Sequence, residues 1–399
     1  RLLAEAQPSP EVRAKALMGR GAVEIRRGQP SRAQAYYARA LEVALRGSPK
    51  EDPALSGNAY NGLGVALVQQ GRMEEAVRAM GLARVAMQRS GNLIDAASVG
   101  ANLGMIEQLR RHYPQALQEF DRAIAVFERF GVNDYMAAAL MAKAAAQMDM
   151  VQPDAAAASI ARAGSLMGSV NDRLLSMRIA ATSANVALMR GRLREAARDI
   201  ARLHALQVAD DDVALRELEV RLRLAQGGNA EAAAIARSPV ASTTMVPASL
   251  ALASTQALLA VHDVAATTRW IAYRERMTVA QRGLDWDIAS GLLAHYRLRR
   301  DDALALANTA TERVEQAGSP AERVRAGLFK ARLLRTLGQP EAAAPVLADL
   351  DAFAGSDYRV AWEMLALYRA LHDPTMMSAA LARVQALRGE RDIEVVPAL

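Results

Sequence analysis

Cysteine is absent from the 399 residues, which excludes disulfides, thiolate nucleophiles and cysteine-ligated zinc. Aromatic residues are scarce, at 4%, and a β-rich fold needs far more aromatic and β-branched surface. No apolar run approaches the ~18 residues that a membrane span requires. Lysine is nearly missing: Lys15, Lys50, Lys143 and Lys330 are the only four. The net charge of +6 therefore rests on arginines, which alternate with acids, as in Arg216-Glu217-Leu218-Glu219-Val220-Arg221. Such mixing makes solvated, ion-paired helix faces rather than a continuous stripe that tracks phosphates. Direct nucleic-acid binding is not expected from this region. The lack of cysteine fits the cytoplasm, the expected compartment, and equally the periplasm. The sequence begins at Arg1 with neither Met nor a signal peptide, so it is expected to be a portion of a longer protein.

What is abundant is small and aliphatic. Hydrophobic residues reach 52% with so few aromatics that helices packed closely through Ala, Leu, Val and Met are the expected core. Within residues 100–123, Gly104 is followed by Ala116, Phe120 and Ala123, at offsets of 12, 16 and 19. A small residue on one helix admits a second helix, two alanines line the facing stripe, and the larger side chain between them fills the remaining space. The same offsets recur at Gly21, Ala33, Tyr37 and Ala40, and at Gly64, Ala76, Met80 and Ala83. They continue at Ala144, Ala156, Ile160 and Ala163, then at Ala184, Ala196, Ile200 and Leu203. The pattern loosens around Val220, Ala232 and Ala236 and around Thr255, Thr267 and Ile271. It recovers at Gly291, Ala303, Ala307 and Ala310, then at Ala331, Ala343, Leu347 and Leu350, and ends degenerately at Leu365, Met377, Leu381 and Val384.

This series resembles the tetratricopeptide repeat, whose small-Ala-large-Ala signature has these offsets. The steps here run from 34 to 43 residues against ~34 in the family. Steps near 40 resemble the repeats of large bacterial transcriptional activators and peptide-sensing regulators. The resemblance implies an all-α, right-handed superhelical solenoid of about ten antiparallel hairpins. Turn chemistry agrees. Gly71, Gly191 and Gly338 stand where a left-handed cap ends a helix. Pro30, Pro114, Pro153 and Pro340 stand in first helical turns, where a missing N–H costs little, and Asp263 and Asp373 are placed as N-caps. Two stretches break the rhythm: a longer loop over 48–57, and a Pro- and Ser/Thr-rich joint over 227–247. The expected organisation is hairpins over 1–226, the joint as a bend or a domain boundary, and further hairpins with a cap over 248–399.

No constellation for catalysis is visible. The five histidines, His112, His204, His262, His295 and His372, form no i,i+4 pair and no HExxH motif. Asp210-Asp211-Asp212 lacks the alternating spacing and glycine of a calcium loop and suits a helix N-terminus instead. There is no glycine-rich phosphate loop. The chain reads as a binding protein, not an enzyme, with no cofactor and no metal. Its ligand is expected to be a protein or peptide, and assembly as a homo-oligomer stays open.

In the family, residues three before, two before and one after the first small anchor face inward. Carried onto this sequence, those offsets give Asn61, Gly62 and Val65, then Asn102 and Met105 with Gln108 a turn later, then Met141, Ala142 and Ala145. Asn58 lies a turn before Asn61, and Asn185 follows in the fifth hairpin. Asparagine amides both donate and accept, which suits an extended peptide backbone; hydrogen bonding between neighbouring helices is the competing use. In the C-terminal half the offsets give Arg221, Gln256, Ile288, Leu292, Leu328, Phe329 and Arg332, with Arg325 and Arg335 a turn to either side. An acidic segment is expected to dock there. Trp270, Trp286 and Trp362 are assigned to the core. The expected role is the sensor or scaffold region of a bacterial regulatory protein; the alternative is an assembly adaptor in secretion or envelope biogenesis.

Overall fold

The computed structural model describes residues 9–46, 52–169, 172–206, 212–238, 246–277 and 282–399. Among the described residues there are twenty α-helices and no strand. Within each unit consecutive helices pack against one another as hairpins, in the repeat register of the sequence. The chain divides into two compact units, Arg1–Ala146 with Leu166–Val170, and Gln147–Ser165 with Asn171–Leu399.

The first unit contains α1 (Pro10–Arg26), α2 (Pro30–Arg46), α3 (Pro53–Gln69), α4 (Met73–Arg89), α5 (Leu93–Leu109), α6 (Tyr113–Phe130) and most of α7 (Asn133–Asp149). Its packing rests on the absence of side chains at chosen places. A methyl group on Gly104 would lie 2.8 Å from the Phe120 ring and 3.1 Å from the Ala116 carbonyl. Gly64 stands in the same relation to Met80. Tyr37 fills a slot between Gly21 and Gly62, where an added methyl would come within 2.8 and 2.1 Å of its ring. Ala33, Ala76 and Ala116 are completely buried. The expected loop over 48–57 is shorter than anticipated. Asp52 caps α3 by accepting from the backbone N–H groups of Ala54 and Leu55, and Pro53 is the first helical residue. Residues 48–51 lie outside the described ones.

The second unit contains α8 (Pro153–Ser165), α9 (Arg173–Arg190), α10 (Leu193–Ala205), α11 (Val213–Ala225), α12 (Asn229–Arg237) and α13 (Ala248–Ala260). It continues through α14 (Val264–Glu275), α15 (Leu284–Tyr296), α16 (Arg300–Ala317), α17 (Pro320–Thr336), α18 (Pro340–Ala348), α19 (Tyr358–Ala370) and α20 (Pro374–Leu387). The first helices α9, α11, α13, α15, α17 and α19 pack side by side in that order. The 227–247 stretch falls inside this unit: α12 occupies part of it, and residues 239–245 lie outside the described ones.

The hairpin turns share one geometry. In the second hairpin the N–H of Arg72 reaches the Leu67 carbonyl and that of Gly71 reaches the Val68 carbonyl, with Gly71 at φ +74°, a Schellman closure. Asp263 and Asp373 cap their helices as anticipated, and Asp212 caps α11; Asp210 and Asp211 lie outside the described residues. The same left-handed position carries a side chain at Arg111, Val151, His262, Leu298 and His372, with φ between 55° and 65°. These residues bear the steric cost that glycine avoids elsewhere.

Candidate functional site

The row of first helices in the second unit encloses a groove of about 470 Å³. Each helix of the row places side chains on it: Asn185 from α9, Arg221 from α11, Gln256 from α13, Asp285 from α15, Arg325 from α17 and Arg359 from α19. Carbonyl-bearing and cationic groups share this wall. Arg221 donates to Asn185 Oδ1 at 2.8 Å and pairs with Glu217 at 3.4 Å, and Ser249 also donates to Glu217. Asp357 pairs with Arg359 at 2.6 Å. Burial works against the Asp357 charge, but Arg359 outweighs it and holds the carboxyl below the ordinary range. Burial pushes the Asp285 carboxyl up, against the pull of Arg325. The Asp285 Oδ1 and Arg325 Nε atoms are 3.2 Å apart, yet neither sits in hydrogen-bond geometry, and the Tyr358 hydroxyl is likewise unpaired. Buried polar atoms without partners are costly, and these atoms are closed off from solvent.

The chain itself lies along this groove. After α20, residues 388–399 leave the helical pattern and run back to the α9–α10 turn. The Glu390 N–H donates to the Gly191 carbonyl at 2.8 Å, and the Glu390 carboxylate accepts from the Arg194 N–H at 2.8 Å. Arg391 donates to the carbonyls of Leu188 and Met189 and lies 4.6 Å over the Tyr358 ring. Further along, the Trp362 indole donates to the Ile393 carbonyl at 3.0 Å, and Arg332 donates to the Pro397 carbonyl at 3.0 Å. Pro397, Ala398 and Leu399 line the groove.

The residues singled out in the sequence divide into three sets. In the first unit Asn58 and Met105 are exposed, while Asn61, Asn102 and Gln108 are half-buried. Asn102 donates to Asn61 Oδ1 at 3.2 Å across α5 and α3, so part of their amide capacity serves helix packing. Met141 is 5% exposed and contributes to the core rather than to an open lining. Gly62 faces Tyr37, for the steric reason given above.

In the second unit Asn185 and Arg325 line the groove, and Arg332 holds the returning segment. Arg332 and Arg335 are not a free basic face. Both close on the fully buried Glu363 carboxylate, at 2.9 and 2.7 Å, which offsets one of the two positive charges expected to attract an acidic segment. Ile288, Leu328 and Phe329 are buried; the Phe329 ring occupies the space over Gly291, so the offset that points inward elsewhere points into the core there. Trp270 and Trp286 are core residues as expected, but half-buried Trp362 uses its N–H on the returning segment. Sequence reasoning missed that segment because it carries no repeat register; the adjacent opposite charges Glu390-Arg391 were its only signal. Among the described residues no cluster of three or more His, Cys, Asp or Glu side chains is arranged to hold a metal ion, and no helix is long and apolar enough to cross a membrane.

Comparison with known proteins agrees with this architecture. The sequence matches none of the curated proteins. The apo form of the quorum sensor NprR from B. thuringiensis superposes with a TM-score of 0.51 at 11% identity, covering 88% of this chain and 90% of that one. A tetratricopeptide repeat protein from Parabacteroides merdae gives 0.50 at 17% identity, covering 71% of this chain and 98% of the other. At such identities the likeness concerns the fold. Residues 12–88 match the tetratricopeptide repeat family model, and the small-Ala-large-Ala register and helical hairpins that extend beyond that match give the chain a TPR-like solenoid fold.

Proposed function

We propose that this chain binds an extended segment of a partner protein in the groove of the second unit, and that it does so as the sensor or scaffold region of a bacterial regulatory protein. The observation that supports this reading is the groove wall. Six successive first helices each place a polar side chain on one surface, and side chains of α17 and α19 already hold the backbone carbonyls of a non-helical segment there. Extended peptides present unpaired amides at regular intervals, and side-chain amides and guanidinium groups satisfy them while neighbouring pockets choose the side chains. In the first unit, Asn58, Asn61, Asn102, Met105 and Gln108 are proposed as a second, less charged contact row, with its two inner amides shared between packing and ligand.

The test is selection of peptides from a displayed library against the 399-residue chain, wild type and with the returning segment loosened by Glu390→Ala and Arg391→Ala. Selected peptides should lose roughly tenfold in affinity when Asn185→Ala and Gln256→Ala are introduced together, since each neutral hydrogen bond is worth ~0.5–1.5 kcal/mol. Failure to select any peptide, or equal affinity for the Asn185/Gln256 variant, would remove the groove as the binding site.

A further inference from the structure

The returning segment joins the core at Leu399, with Ile393 and Ala398 packed against it, but its first residues are held by charge and backbone contacts. Glu390 and Arg391 are adjacent in sequence and opposite in charge, and they straddle the turn between α9 and α10. The Glu390 carboxylate meets the N-terminus of α10 through the Arg194 N–H, where the helix dipole favours an anion. The Arg391 guanidinium meets the last carbonyls of α9, where it favours a cation. Close backbone approach at Gly191 and Gly389 allows this. A methyl on Gly389 would lie 2.6 Å from the Gly191 carbonyl oxygen, and one on Gly191 2.4 Å from that of Arg388. Arg391 is also largely removed from water, which lowers its pKa to about 10. Beyond this clasp the segment is held by two carbonyl contacts and by its apolar end, while Glu394 and Val396 face solvent. Peptide ligands are held in the same way, by a charged anchor, backbone hydrogen bonds and alternate side chains left outside.

We propose that residues 389–399 are a built-in occupant of the second unit's groove, displaced by a non-helical peptide of the same chemistry, an adjacent acid–arginine pair followed within a few residues by a short apolar stretch. The proposal rests on the groove reading and adds the ligand's chemical class and its regulation. A segment tethered beside its own site competes at an effective concentration of ~mM. A free ligand therefore engages the wild-type chain only when it binds better than the segment does or is supplied in excess.

The experiment uses the 399-residue chain and a labelled, end-capped synthetic peptide of residues 389–399. Fluorescence anisotropy should show the peptide binding the Glu390→Ala, Arg391→Ala chain at least tenfold more tightly than wild type. The Glu394→Ala chain should behave as wild type, and a peptide carrying the Arg391→Ala change should lose most of its affinity for the loosened chain. Equal affinity for the wild-type and loosened chains would overturn the proposal, as would no binding to the loosened chain together with a lowered melting temperature; the latter makes the segment a structural strut. If library-selected peptides still bind the groove and lose affinity with the Asn185/Gln256 change, this proposal alone has failed. If none do, the groove reading has failed with it.

Discussion

The two units apply one repeat signature to opposite ends. In the first, helices approach through glycine and alanine, with Tyr37, Met80 and Phe120 set into the gaps; neutral amides pair across α3 and α5, and Glu24 is a buried charge beside Arg27. In the second, the core holds more charge. Glu363 is completely buried between two arginines, and Asp287 is 1% exposed beside Arg274 and Arg313. A neutral close-packed stack gains stability by dispersion and apolar burial. Buried ion pairs contribute little net stability, because desolvation offsets the attraction, but removing one partner is severe. The first unit is thus fitted for rigidity, whereas the second carries groups that a ligand or the returning segment can engage.

The strongest way to break this contrast is to remove one partner from each kind of core. Glu363→Ala should cost about 3–5 kcal/mol, since two guanidinium groups are left without a counter-charge. Ala116→Asp should cost several kcal/mol because it puts an unpaired carboxylate where α5 and α6 meet, while the exposed control Gln118→Asp should cost ~0.5 kcal/mol or less. Denaturant unfolding followed by circular dichroism measures all three, and equal losses for Ala116→Asp and Gln118→Asp would show the register to be misplaced.

A milder comparison sharpens the role of the amides. Asn102→Ala strands Asn61 half-buried and should cost about 0.5–1.5 kcal/mol. Adding Asn61→Ala should cost less than a second such loss, because replacing both partners leaves nothing unsatisfied. A double-mutant cycle with strictly additive losses would mean that the 3.2 Å contact has no energetic weight.

Leu298 offers a change of the opposite sign. It is 81% exposed at φ +59°, so Leu298→Gly should raise stability by about 0.5–1 kcal/mol through relief of left-handed strain, partly offset by the added freedom of glycine when unfolded. A lowered melting temperature would show that the turn needs the leucine side chain.

The smallest expected effect concerns pH. The folded chain raises the Asp285 carboxyl, with burial opposing its charge and Arg325, Glu217, Glu322 and Arg221 around it. Its contribution to stability is therefore present when the group is protonated and is lost as pH rises through the folded value. Relative to wild type, Asp285→Asn should gain stability as pH rises above the ordinary carboxylate range; a pH-independent difference in melting temperature would contradict this.

The repeat register was legible from residue order because it depends on sizes at fixed helical spacings. The offsets that picked out Gly104, Ala116 and Phe120 describe a contact between two adjacent helices, and a contact that local leaves its trace in one short stretch. The caps at Asp263 and Asp373 were legible for the same reason. The register also turned Asn185 and Arg325 inward, and both line the groove. The register did not reveal that Arg332 and Arg335 share Glu363, about thirty residues away, or that Phe329 turns into the space over Gly291. Nor did it show residues 388–399 crossing back to Gly191, some two hundred positions earlier in the chain. Composition and periodicity determined by themselves that this protein is a stack of helical hairpins, because each hairpin is specified by its own residues. Only the tertiary structure decided which charges are neutralised and what lies in the groove, because those pairings join residues that no local period relates.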